Sequence, residues 1–255
     1  MSDRTARRSF LIAVCGALLV PSSLLARQKR QQSELIPLVD QVPPMLDHIL
    51  LGCSDLQRGI DFVEQRTGVR AAFGGVHPGR GTQNSLLSLG TSNAQEKGRY
   101  LEIIAPDPQQ SAADEHATRL RKLTEPRLIG WAAHPGDLQV LAADLGKAGI
   151  VTQGPNRGSR KRPDGRVLHW ATLALKDDSD GLLPFFIEWS ADTIHPSDDA
   201  PTGCQLLRFE LFTPDTAALG ETTAKLGLAV PIAKGTSPLL HAVIVGPKGK
   251  LEVTS

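Results

Sequence analysis

The alternation of apolar and polar positions divides the chain into a phrase that recurs. Residues 46–53 (LDHILLGC) make a short apolar run of strand length, and Ser54-Asp55-Leu56 then opens a helical pattern. Asp55 has the short acceptor side chain that suits a helix start. Gly68, with no Cβ, suits the stop, and Val69 begins the next extended segment. The same order returns at 129–133, followed by Gly136-Asp137-Leu138, a helix and Gly149-Ile150. It returns again at 206–213, followed by Pro214-Asp215-Thr216, a helix and Gly227-Leu228. The Asp-to-Gly offsets are 13, 12 and 12 residues. A helix of that length crosses one face of a small sheet and buries residues such as Leu138, Leu141 and Leu145 at helical spacing.

Each phrase also closes on a similar strand: Tyr100-Leu101-Glu102-Ile103-Ile104, then Phe186-Ile187-Glu188-Trp189, then Lys250-Leu251-Glu252-Val253. Between helix and closing strand lie two extended segments split by turns such as His77-Pro78-Gly79-Arg80-Gly81 and Arg162-Pro163-Asp164-Gly165. Repetition of this kind sets the architecture before any single element does. The expected fold class is α+β: tandem βαβββ modules forming curved, barrel-like mixed sheets with helices outside. Modules are expected at 45–106 and 127–190 within a domain of residues 45–200, with a shorter βαββ-like module at 203–255.

Residues 1–26 belong to a different regime. Arg7-Arg8 precedes Ser9-Phe10-Leu11 and an apolar run to Leu25, interrupted by Gly16, Pro21, Ser22 and Ser23. A membrane span needs roughly 20 apolar residues, so this run is read as a signal peptide, with Ala26 at the cleavage point and 27–44 as linker. An uncleaved anchor is the alternative. The Arg-Arg-Ser-Phe-Leu stretch resembles a twin-arginine signal, which implies folding before export to the periplasm or the medium. Beyond residue 26 the chain holds 25 basic and 26 acidic residues. That balance argues against nucleic acid or a membrane surface as partner, because both favour basic faces. Cys53 and Cys204 lack metal-binding spacing and are expected as a buried free pair.

The stretches LDHILLGCSDL, GVHPGRGTQN, RYLEIIAPDP and the RPDG…LPFFIEW run resemble the glyoxalase-like branch of the vicinal-oxygen-chelate superfamily. That resemblance implies paired modules around a concave face that holds a metal and an oxygen-rich small molecule, within one chain or swapped in a homodimer. Carried over, the metal positions are His48, Glu102 and Glu188, a set suited to Zn²⁺, Fe²⁺, Mn²⁺ or Ni²⁺. The fourth position falls near Gly130-Trp131, where no side chain can ligate. His134 would serve only if the strand were shifted. Arg208 stands at the His-like position of the third unit and Glu252 repeats the Glu, so the Glu is partly a feature of the repeat.

Other residues could line such a cavity. His77, Arg80 and Asn84 are candidate substrate contacts, Arg80 through its planar fork. His169 is a candidate general base, alongside Glu188; the alternative for His169 is an ordinary packed histidine beside Trp170. The basic stretch 157–166 reads as a solvated hairpin. There is no GxSxG elbow, P-loop or HExxH. The expected activity is therefore a metal-dependent, glyoxalase-like isomerase or lyase working through an enediolate-type intermediate on a small oxygenated metabolite. A metal-free module that sequesters a small molecule is the alternative, and a structural protein whose cavity is filled by side chains is the third.

Overall fold

The computed structural model describes residues 42–90, 98–110 and 115–255. The signal segment at 1–26 and all but the last residues of the 27–44 linker lie outside the described residues. Twelve strands form one large curved, unclosed mixed sheet with few helices. Among the described residues no helix is long and apolar enough to cross a membrane.

The first module contributes β1 (Leu46–Gly52), α1 (Leu56–Thr67), β2 (Ala72–His77), β3 (Thr82–Gly90) and β4 (Tyr100–Pro106). After α2 (Glu115–Arg121), the second contributes β5 (Arg127–Ala133), α3 (Leu138–Lys147), β6 (Thr152–Lys161), β7 (Val167–Leu175) and β8 (Phe185–Trp189). Both have the same internal topology. β1 pairs parallel with β4, and β3 and β2 follow outward; β5 pairs parallel with β8, and β7 and β6 follow. The antiparallel pairing of β1 with β5 joins the two halves back to back.

After the short α4 (Pro196–Asp199), the C-terminal stretch supplies β9 (Cys204–Thr213), α5 (Thr216–Lys225), β10 (Ile232–Lys234), β11 (Leu239–Gly246) and β12 (Gly249–Thr254). Its strand order is β10-β9-β11-β12, with β10 parallel to β9. That differs from the first two modules, where the first and last strands are the parallel neighbours. A short parallel pairing of β9 with the end of β3 continues the sheet.

The helix boundaries follow the chemistry of their ends. Asp55 accepts from Arg58 N, Asp137 from Gln139 N and Val140 N, and Asp215 from Ala218 N. Each satisfies amides the helix itself leaves unpaired. Gly68, Gly149 and Gly227 have φ of 82°, 75° and 69°, a region that favours glycine. On α1 the residues Leu56, Ile60 and Val63 are buried at helical spacing. They join Ile49, Leu51, Leu101 and Ile103 in the core. Each such apolar side chain contributes about 1.5–3 kcal/mol of burial. Alternate residues on the same strands face the other way, into the concavity.

Candidate active site

That concavity is a cavity of about 790 Å³ shared by the two modules. Strand parity decides what lines it. β1 presents His48 and Leu50; β4 presents Tyr100, Glu102 and Ile104; β3 presents Thr82 and Asn84. From the second module β8 presents Phe185, Ile187 and Trp189, and β7 presents Trp170, Thr172 and Ala174.

A chain of polar side chains backs the wall around His48 and Trp189. Asp47 Oδ1 lies 2.7 Å from His48 Nδ1, and its Oδ2 accepts from Trp189 Nε1 at 3.1 Å. His195 Nε2 lies 3.1 Å from the same Oδ2, and its Nδ1 lies 2.7 Å from Ser197 Oγ. Burial pushes the Asp47 carboxyl up, but the hydrogen bonds from His195 and His48 outweigh it and hold the group well below the carboxylate range. An ionised Asp47 fixes the His48 tautomer with its proton on Nδ1, leaving the Nε2 lone pair for the cavity. Tyr100 stacks on the His48 ring with centroids 4.5 Å apart, and Phe185 meets it edge-on at 5.6 Å.

Nε2 of His48 lies 3.6 Å from Glu102 Oε2, too far for a hydrogen bond. The other oxygen, Oε1, accepts from Asn84 Nδ2 at 2.5 Å and lies 3.8 Å from His77 Nε2. Asn84 Oδ1 in turn accepts from Arg160 Nη1 at 2.7 Å. Burial raises the Glu102 pKa, but His48, His77, the Asn84 hydrogen bond and Arg160 together leave it below its ordinary value. Burial depresses His77 in the other direction, so its imidazole favours the neutral form, with Nδ1 2.9 Å from Thr82 Oγ1. Among the described residues the cavity wall therefore presents one ionised carboxylate, Glu102, between the His48 and His77 imidazoles.

Gly74 makes the Asn84–Arg160 contact possible. A Cβ there would collide with Arg160 Nη1 and Asn84 Oδ1. The Phe73-Gly74-Gly75 run of β2 is thus a clearance for the guanidinium that crosses from β6.

The structure brings together His48, Glu102, His77, Arg80 and Asn84, all on the cavity wall. It does not bring Glu188 or His169 there. Glu188 points to the helix side, where its Oε2 accepts from Leu138 N at 2.8 Å at the start of α3. His169 is exposed on the outer side of β7. Each lies one position out of phase with a cavity residue, Ile187 or Trp189 in one case and Trp170 in the other. Pairing shows the register: His48 faces Tyr100 across β1 and β4, and Ala132 faces Phe185 across β5 and β8. The second-module counterparts of His48 and Glu102 are therefore Ala132 and Ile187, both apolar.

This arrangement does not fit the expected metal set. Among the described residues no three His, Cys, Asp or Glu side chains are grouped to hold an ion. His48 and Glu102 share the cavity, but His77 approaches the opposite carboxylate oxygen, and His134 Nδ1 lies against the Ile187 carbonyl at 3.1 Å. The third stretch keeps its own ion pairs: His241 sits between Glu210 and Glu252.

Four site residues escape the linear pattern. Asp47 and Tyr100 read as ordinary strand positions. His195 carries no signal in its loop that points to Asp47 and Ser197, which it meets. Arg160 lies in the stretch read as a solvated hairpin, yet it is 3 % exposed. Ser197, His195 and Asp47 follow each other as in a nucleophilic triad, but Ser197 is buried and does not line the cavity. They tie the loop before α4 to β1. Cys53 and Cys204 are buried and free. Burial pushes the Cys53 thiol up to about 12, which leaves it unreactive.

A glyoxalase-like domain family matches residues 46–227, and the chain belongs to that family. A protein of Staphylococcus aureus described only as hypothetical superposes with a TM-score of 0.53 at 14% identity, over 82% of this chain and 84% of the other. A single-residue variant of the methylmalonyl-CoA epimerase of Streptomyces coelicolor, in complex with 2-nitronate-propionyl-CoA, gives 0.44 at 18% identity, over 60% of this chain and 100% of the other. The epimerase of Mycobacterium tuberculosis gives 0.40 at 15%, over 58% and 89%. No curated protein matches the chain.

Proposed function

We propose that the chain is a proton-transfer enzyme of the isomerase or lyase type, acting on a small oxygenated compound in the cavity between the two modules. The observation that carries this reading is the Asp47–His48 pair, whose free Nε2 stands beside the ionised Glu102 on the cavity wall. Asp47 orients the imidazole and stabilises its protonated form. His48 Nε2 then removes a proton from a carbon next to a carbonyl, and the electron pair moves onto the carbonyl oxygen. The buried Arg160 guanidinium supplies positive potential for that oxyanion, in a site where burial strengthens each charge. In a 2-hydroxy carbonyl compound the hydroxyl proton passes to the oxyanion and His48 returns its proton to the former carbonyl carbon, which completes an isomerisation; departure of a leaving group with its electron pair from the carbon beside the deprotonated one completes an elimination.

Metal dependence would need a third protein ligand beside His48 and Glu102. Ala132 and Ile187 stand where the second module would offer one, so the reading assigns the chemistry to the side chains. The same two apolar residues favour a second reading, a module that binds and sequesters its ligand without turning it over. Incubation in D₂O with a panel of 2-oxo acids, 2-hydroxy ketones and 2-oxoaldehydes, followed by NMR, separates the two. Catalysed exchange at the carbon beside the carbonyl, lost in His48→Gln, is the expected result. Binding with no exchange on any of them would leave the sequestering module.

The Arg7-Arg8-Ser9-Phe10-Leu11 motif supports export by the twin-arginine route, to the periplasm or beyond.

A further inference from the structure

The cavity is unusual for this chain in two ways. The sequence has three Trp, one Tyr and seven Phe, eleven aromatics in all. Four of them, Tyr100, Trp170, Phe185 and Trp189, line this one cavity. Trp170 and Trp189 sit with centroids 5.6 Å apart and planes tilted by 58°, presenting ring faces and edges on the second-module wall. Glycine is what opens part of that wall: a Cβ at Gly158 would strike the Trp170 indole at 2.6 Å.

Charge is the second. The lining includes Arg80, Arg119, Arg157 and Arg160, and among the described residues its only carboxylate is Glu102. Arg160 is engaged by Asn84 and Arg119 pairs with Glu115. Arg157 sits opposite Ala171, so its side chain faces the other side of β6, whereas Arg80 forms no salt bridge among the described residues and is exposed on the lining. Guanidinium groups in an aromatic-walled cleft raise the local concentration of anions and match their oxygens two at a time.

We infer that the ligand is an aromatic acid: a planar ring against Trp170 and Trp189, with a carboxylate or phosphate held by Arg80. This rests on the reading of the cavity as the working site, and it adds the substrate class. A ring stacked on indole gains from geometry as well as burial. The acid group then sets which end of the molecule points toward His48 and Glu102.

The test uses unreactive probes, so that binding is read apart from chemistry. Calorimetric titration of the mature protein compares 3-phenylpropanoate with propanoate, with neutral 3-phenylpropanamide and with phenyl phosphate. Loss of the ring or of the charge is expected to weaken binding at least tenfold. Trp170→Leu is expected to weaken 3-phenylpropanoate at least fivefold, as is Arg80→Gln, an exposed loop position whose replacement leaves the core untouched. Tighter binding of phenyl phosphate than of the carboxylate would identify phosphate as the acid group. Equal affinity for the amide, or for propanoate, would overturn the inference. So would unchanged binding in both variants. Binding of the aromatic acid by a protein that exchanges none of the 2-oxo acids, 2-hydroxy ketones and 2-oxoaldehydes, aromatic ones included, would sink the enzyme reading and leave the ligand class standing; exchange on aliphatic compounds with no preference for aromatic acids would do the reverse.

Discussion

Two closing-strand glutamates look alike in the sequence and face opposite sides of the sheet, so exchanging each for a neutral residue should produce opposite phenotypes. Glu188 Oε2 accepts from Leu138 N, the first amide of α3, while Asp137 takes the next two. Glu188→Ala removes one acceptor from a helix start and leaves an amide short of a partner. Losses of this kind cost about 1 kcal/mol. In a domain of this size that lowers Tm by about 2–4 °C. Proton exchange and ligand affinity should be unchanged, because Glu188 contributes nothing to the cavity wall. Glu102→Gln should do the converse. It keeps the shape, removes the one carboxylate that the described residues bring to the cavity, and should lower exchange by about 10²-fold or more, within the range for acid–base groups. Thermal unfolding and D₂O exchange, measured on both variants, decide the matter. If Glu188→Ala lost exchange or binding while keeping its Tm, the parity argument would be refuted, and with it the assignment of the site to the first module.

Three further outcomes follow from the same geometry. The His77 pKa is depressed below 6.5 in the folded protein, so the unfolded chain takes up a proton that the native state resists. Stability should be level between about pH 6.5 and 8 and fall below that window, by at most about 1.4 kcal/mol per pH unit for one proton; Glu102, also depressed, adds its own loss only below 4.5. Urea unfolding at pH 7 and pH 5 should show this fall, and His77→Gln should flatten it; an unchanged slope would mean His77 is not the group responsible. Gly74→Ala should drive Arg160 away from Asn84 and lower exchange with little loss of Tm, which a crystal structure of the variant would check directly. Replacing Arg7-Arg8 with Lys-Lys should hold the protein in the cytoplasm on cell fractionation; continued export would remove the twin-arginine assignment.

The fold is legible in the sequence where local chemistry and periodicity agree. The Asp55, Asp137 and Asp215 caps and their closing glycines mark three helices, and the apolar runs before and after them mark the strands. What the linear pattern lacks is phase. A one-residue difference moves a strand side chain to the other face, and the apolar Phe185–Trp189 run gives no polar alternation to set it. Glu188 and His169 read as cavity residues for that reason, whereas His48 and Glu102 share a parity fixed by the His48–Tyr100 pairing. Asp47 and Arg160 are invisible in the sequence for another reason. Their roles come from contacts with residues far away along the chain, His195 and Trp189 for the first and Asn84 for the second. Likewise the third stretch repeats the helix grammar of the first two, but its strand order is set by long-range pairing, which no single phrase records.

The central claim is that side chains alone move a proton in this cavity, and the most direct measurement is deuterium incorporation by protein dialysed against a strong chelator. Wild-type protein should keep its exchange rate after metal is removed to well below stoichiometric levels, and His48→Gln, Glu102→Gln and Asp47→Asn should each lose about 10²-fold or more. Wild-type exchange that disappears on chelation and returns with Zn²⁺, Mn²⁺, Fe²⁺ or Ni²⁺ would contradict the account.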